Sequence, residues 1–273
     1  MSELVNKIVV FLMGITLSVT SISLDANKFE GEKQSNPQKI IVEEVIKEEG
    51  VVKSLFITQK PVTTTTLTTG WWSYPKEIKL AKRNGNDLLV LVNKEYKLPE
   101  TYAPNDLVKA SLSGIRRGEN YYLRNILIAD LRDLVNQAKA EGVDLSIRSA
   151  YRSYSDQLTT YNFWLRANGN IADEADKVSA RAGHSQHQLG TAVDFSSAEI
   201  QDGLGGQFAG TIASKWLSQN AWRYGFVISF PLGYESTTGF SFESWHYRYI
   251  GKTNALELHN SGKILETYLR EKN

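Results

Sequence analysis

Ser185-Gln186-His187-Gln188-Leu189-Gly190-Thr191-Ala192-Val193-Asp194, continued by Phe195, is the stretch on which the reading of the chain turns. It holds two good metal ligands, His187 and Asp194, seven residues apart. That interval fits no single helix face, whereas it suits a loop that runs into a strand. Gly190 permits the turn. Val193 and Phe195 then alternate with Ala192 and Asp194 at the strand period of two.

A second cluster lies about fifty residues on. Glu243-Ser244-Trp245-His246 adds a third ligand and a carboxylate that coordination does not need. Of the 4 histidines in the chain, His187 and His246 fall within these two clusters and His184 directly precedes the first. Two imidazoles, one aspartate and a free glutamate are the parts of a catalytic zinc centre, with three protein ligands, an open position for water and a general base. His187 stands in the better loop-to-strand relation to Asp194, so His184 is read as a neighbour rather than a ligand. Glu243, three residues before His246, is placed to move a proton from water to a leaving amine. Arg152 is the candidate donor to a developing oxyanion.

The chain has 273 residues, room for one good-sized domain with appendages. Its 31 Lys and Arg nearly balance 30 Asp and Glu, so it carries no basic field to gather nucleic acid. Cysteine is absent, which excludes disulfides, a thiol nucleophile and thiolate-ligated zinc.

Taken in order, residues 1–24 read as a signal peptide or N-terminal membrane anchor. Lys7 precedes an uncharged apolar run from Ile8 to Leu24. Residues 25–75 read as a polar spacer containing Thr63-Thr64-Thr65-Thr66. The folded domain is expected over 76–273. Leu88-Leu89-Val90-Leu91-Val92 predicts a short strand. Leu123, Leu127, Leu131, Leu134, Val135 and Ala138 predict an amphipathic helix closed by Gly142. A strand is predicted at Leu145-Ser146-Ile147 and a helix from about Ser155 to Leu165. Beyond the metal loop come a helix from Thr211 to Tyr224, a strand at Phe226–Phe230 and a C-terminal helix from Asn254. Short strands with separate helices indicate an α+β fold, a small mainly antiparallel sheet with flanking helices around a single zinc site.

The pattern Ser185-x-His187-x-x-Gly190-x-Ala192-x-Asp194 with Glu243-x-Trp245-His246 resembles the zinc D,D-carboxypeptidases of the VanY type, whose relatives include L,D-carboxypeptidases and D,D-dipeptidases. The likeness extends over about residues 85–252. It takes in Leu98-Pro99, Tyr102 and Pro104, then Ser149-Ala150-Tyr151-Arg152-Ser153-Tyr154 with Gln157, and Trp245-His246-Tyr247-Arg248-Tyr249. The resemblance implies one Zn²⁺ on His187, Asp194 and His246, Glu243 as base, and Arg152 on the substrate carbonyl. Gln157 and Ser185 would bind near the terminal carboxylate. The implied substrate is the peptidoglycan stem peptide, cut at its C-terminal D-alanine by an exported monomer that meets the membrane only through its N-terminal segment. Gln186, where the family commonly has an acid, and Ala182, where it commonly has Pro, depart from the pattern.

Two rival readings compete. Ser73-Tyr74-Pro75-Lys76 matches the Ser-x-x-Lys of serine enzymes, but no Lys-Thr-Gly follows. A non-catalytic zinc-stabilised binding module would have no need of a competent residue at every catalytic position.

Overall fold

A computed structural model describes residues 72–273, together with the two-residue strands β1 (Lys47–Glu48) and β2 (Val51–Val52), which pair antiparallel. The expectations for 1–24 and for nearly all of 25–75 fall outside the described residues. Among those described, no helix is long and apolar enough to cross a membrane.

Two small pairings open the main body. β3 (Lys79–Leu80) runs parallel to β4 (Tyr96–Lys97), and β5 (Leu107–Lys109) is antiparallel to β6 (Tyr122–Arg124). The central sheet has four strands: β7 (Ser146–Ser149), β8 (Ala192–Ser196), β9 (Phe226–Ile228) and β10 (His246–Tyr249). Their order is β7-β8-β10-β9, antiparallel throughout.

The period of two in β8 and β10 sorts their side chains. Val193 and Phe195 join Tyr247, Tyr249 and Ile147 in the main core. Helix α1 (Ile128–Ala140) lays Leu131, Leu134 and Ala138 into that core, and α4 (Ile212–Asn220) adds Trp216 and Leu217. Both helices form where apolar residues recur at three-to-four spacing, and Thr211 caps α4 by accepting from the Ser214 N–H. A second cluster seats the C-terminal helices α6 (Lys252–Ser261) and α7 (Leu265–Lys272) against Val227 and Leu91. Helix α2 (Tyr154–Ala167) and the short helices α3 (Ala172–Val178) and α5 (Glu235–Thr238) complete the fold. α2 starts at Ser153, whose hydroxyl accepts from the Asp156 N–H.

Several boundaries differ from the sequence reading. Leu123 lies in β6, so the predicted helix begins later, after Leu127. The C-terminal helix is two helices, because Gly262 adopts a left-handed conformation (φ 65°) between them. α3 has too polar a sequence to announce itself. The predicted strand at Leu88–Val92 is a buried irregular segment. Its carbonyls are taken by side chains: Arg248 Nη2 donates to Leu88 O and Val90 O, and Asn273 Nδ2 donates to Leu89 O. An apolar run meets the burial requirement here without a neighbouring strand, since side chains satisfy its backbone.

The chain enters this body as a strap. Lys94, almost fully buried, donates from Nζ to Trp72 O at 2.9 Å. Tyr74 Oη accepts from the Arg181 N–H, and the Tyr74 ring meets His184 edge-on at 4.8 Å.

Candidate metal centre

Register brings two of the ligands together. Asp194 and His246 are direct partners across β8 and β10, so both side chains leave the same face of the sheet. The third comes from a tight turn just before β8. Residues Gln186–Leu189 form one 3-10 turn, Ser185 Oγ accepts from the His187 N–H, and Gly190 ends it in a left-handed conformation (φ 69°). A side chain at Gly190 would meet Arg124 Cγ and Leu107 Cδ2 at 3.0 Å, so glycine is required twice over, by backbone and by space.

The ligand atoms of His187, Asp194 and His246 lie within 4.8 Å of one another, and all three residues are buried. His187 Nε2 is 3.3 Å from Asp194 Oδ2, and His246 Nδ1 is 3.0 Å from Asp194 Oδ1. The outer nitrogens are engaged elsewhere: His187 Nδ1 lies 2.6 Å from Ala150 O, and His246 Nε2 lies 3.2 Å from Gln186 Oε1. Those two oxygens can only accept, so each neutral ring carries its proton on the outer nitrogen. Bare nitrogen lone pairs therefore face a carboxylate, and Asp194 Oδ1 is buried without a hydrogen-bond donor. A cation resolves this arrangement, and two imidazoles with one carboxylate form a fitting donor set for zinc.

The electrostatics agree. Burial lowers the basicity of His187, which keeps its ring neutral and free to ligate. Asp194 is held well below the usual carboxylate range in spite of its burial, so it stays ionised. Glu243 Oε2 lies 3.6 Å from His246 Nδ1, at the start of the turn in which the His246 N–H donates to Glu243 O. Burial, reinforced by the charge of Asp194, pushes the Glu243 carboxyl up to about 7, while His246 and Arg152 pull the other way. That value suits a group that must both take and return a proton near neutrality.

Arg152 shares this field, and its N–H donates to His187 O. Its guanidinium donates from Nη1 to Gln157 Oε1 at 2.8 Å and from Nη2 to Ser149 Oγ at 3.0 Å. Gln157 is buried, and its Nε2 donates to Ala180 O at 2.6 Å. Both ends of that amide are thus engaged, one of them in holding Arg152. Ser185 is buried at the rim as the cap of the His187 turn. His184 stays outside the cluster, with Nδ1 2.7 Å from Asn93 O. The contact of Gln186 with His246 had no signature in the sequence, where Gln186 stood only as a departure from a family pattern.

The family model for VanY, D-alanyl-D-alanine carboxypeptidase, matches residues 120–252. The chain is 35% identical over 191 residues to YodJ of Bacillus subtilis, covering 69% of each chain. It is 32% identical over 221 residues to a D-alanyl-D-alanine carboxypeptidase of Enterococcus faecalis, covering 77% of each. Among solved structures, the LD-carboxypeptidase LdcB superposes with a TM-score of 0.63 at 34% identity, covering 69% of this chain and 88% of that one. A mutant of the vancomycin-resistance D,D-pentapeptidase VanY, in complex with Zn(II), superposes with a TM-score of 0.56 at 30% identity, covering 66% of this chain and 98% of that one.

Proposed function

The chain belongs to the VanY family of D-alanyl-D-alanine carboxypeptidases, and from that membership we propose how its own residues carry out the reaction. Its activity is the family's, zinc-dependent hydrolysis that releases the C-terminal D-alanine of peptidoglycan stem peptides. The observation that carries the reading is the buried His187–Asp194–His246 group beside a carboxyl raised to about 7.

His187 Nε2, Asp194 and His246 Nδ1 would hold the metal. When bound, zinc supplies a Lewis acid that activates water and polarises the scissile carbonyl. Glu243 accepts the proton of the attacking water and delivers it to the leaving amine of D-alanine. Arg152, held by Gln157 and Ser149, donates to the oxygen on which negative charge develops. Ser185 and Gln157 border the place of the substrate's terminal carboxylate, Gln157 chiefly by fixing Arg152.

The catalytic domain is assigned to 76–273, with Trp72 and Tyr74 packed against it. Residues 1–24 are assigned as an export signal or anchor and 25–75 as a spacer. On this reading the enzyme works as a monomer outside the cytoplasmic membrane, where its substrate lies. The likeness to LdcB supports a second reading, L,D cleavage of tetrapeptides. Defined pentapeptide and tetrapeptide stems, with products weighed, separate the two. Glu243→Gln tests the mechanism: zinc should remain while turnover falls about 10²-fold or more. Near-parental turnover in that variant would overturn the assignment of the base.

A further inference from the structure

The two histidine ligands approach the metal position through different nitrogens, His187 through Nε2 and His246 through Nδ1. A histidine presents a chosen nitrogen only if something holds the other. For His187 that holder is main chain, the carbonyl of Ala150 at 2.6 Å. For His246 it is a side chain, Gln186 Oε1, at 3.2 Å from Nε2.

An amide side chain can turn its oxygen or its nitrogen to a partner, so Gln186 has to be fixed in its turn. Ser229 does this, donating from Oγ to the same Oε1 at 2.7 Å. Ser229 is itself tied to the ligand strand, since its N–H donates to His246 O at 3.2 Å. Gln186, Ser229 and His246 are all buried, so water does not compete for these bonds. With Nδ1 turned inward, Nε2 must bear the proton, and only the amide oxygen can receive it.

From this geometry we propose that Gln186, oriented by Ser229, is the positioning residue that fixes the tautomer and ring orientation of His246 for metal binding. The proposal rests on the zinc reading above and deepens it. Gln186 also precedes His187 directly, so one dipeptide supplies a ligand and the support of the other histidine ligand. The metal site is thereby closed from a single 3-10 turn onto two neighbouring strands. Neutral acceptors serve both rings, which leaves Asp194 as the negative ligand in the group.

The test compares zinc affinity, by competition with a chromophoric chelator, in the parent and in Gln186→Met, Gln186→Glu and Ser229→Ala. Loss of the acceptor in Gln186→Met should weaken zinc binding by about 10–100-fold, and Ser229→Ala should weaken it less. Gln186→Glu keeps an acceptor and should restore affinity to the parental level or above. Affinity unchanged in Gln186→Met would overturn the proposal, as would failure of the Glu variant to rescue. Nitrogen-15 NMR of the metal-free parent gives a second readout that no fold defect in a variant can obscure. His246 should be protonated at Nε2, and protonation at Nδ1 would overturn the proposal. A parent that binds no zinc would instead refute the proposed function, while the NMR result still decides the role of Gln186.

Discussion

His184 gives a quantitative handle on the acid stability of the fold. The ring is 6% exposed, donates from Nδ1 to Asn93 O and lies edge-on to Tyr74. Burial drops its pKa to about 4 from 6.5, with the charges of Lys97 and Arg181 acting in the same direction. The folded protein therefore prefers the neutral ring. The stability this confers is complete above the unfolded value of 6.5 and is lost as pH falls toward 4. The drop from 6.5 to about 4 corresponds to about 3 kcal/mol in total, and about 2 kcal/mol of it is gone by about pH 5. His184→Gln keeps an N–H donor and cannot titrate. Urea unfolding of metal-free parent and variant across this pH range should show the parent losing about 2 kcal/mol more than the variant by about pH 5. Using metal-free protein keeps zinc release out of the comparison, and the site histidines cancel in the difference. Parallel stability curves for the two proteins would refute the reasoning.

Three further outcomes follow from the geometry. Gly190→Ala forces a side chain against Arg124 and Leu107 at positive φ and should cost about 1–3 kcal/mol, read as a lowered denaturation midpoint. Asp202 is held down to about 2 by Arg116, with Ser146 assisting, so its contribution is present above the unfolded value of 3.8 and lost as pH falls through about 2. Because Arg116 is partly exposed, Asp202→Asn should cost only about 1–2 kcal/mol at neutral pH and flatten the acid limb of the stability curve. Arg152→Ala should leave zinc bound and lower turnover by about 10²–10³-fold, whereas equal cleavage of free-acid and amidated peptides by the parent would refute terminal carboxylate recognition.

The site was legible because its residues sit where backbone pattern and chemistry coincide. Alternation through Ala192–Phe195 marked β8, whereas Glu243-x-x-His246 marked only a cluster of ligand and base; that His246 opens β10 opposite Asp194 came from the register. Leu88–Val92 misled because an apolar run reports burial and leaves open what satisfies the backbone. There the answer came from Arg248 and Asn273, up to 184 residues away in sequence. Gln157 stood in the sequence as a candidate, but its engagement was hidden, since a buried amide shows its partners only once Arg152 and Ala180 are in place. Ser229 carried no signal at all. A serine after a short strand is common, and its use depends on a turn 43 residues earlier.

The strap at Trp72–Tyr74 also sets the path by which force enters the molecule. Its grips are the Lys94 ammonium on Trp72 O and the Arg181 N–H on Tyr74 Oη, with His184 against the Tyr74 ring. Arg181 and His184 lead directly into Ser185 and His187. A pull on Trp72–Tyr74 is therefore felt at Lys94 and at the segment that runs into the turn of His187. The entry of the chain and the candidate metal site share one mechanical joint.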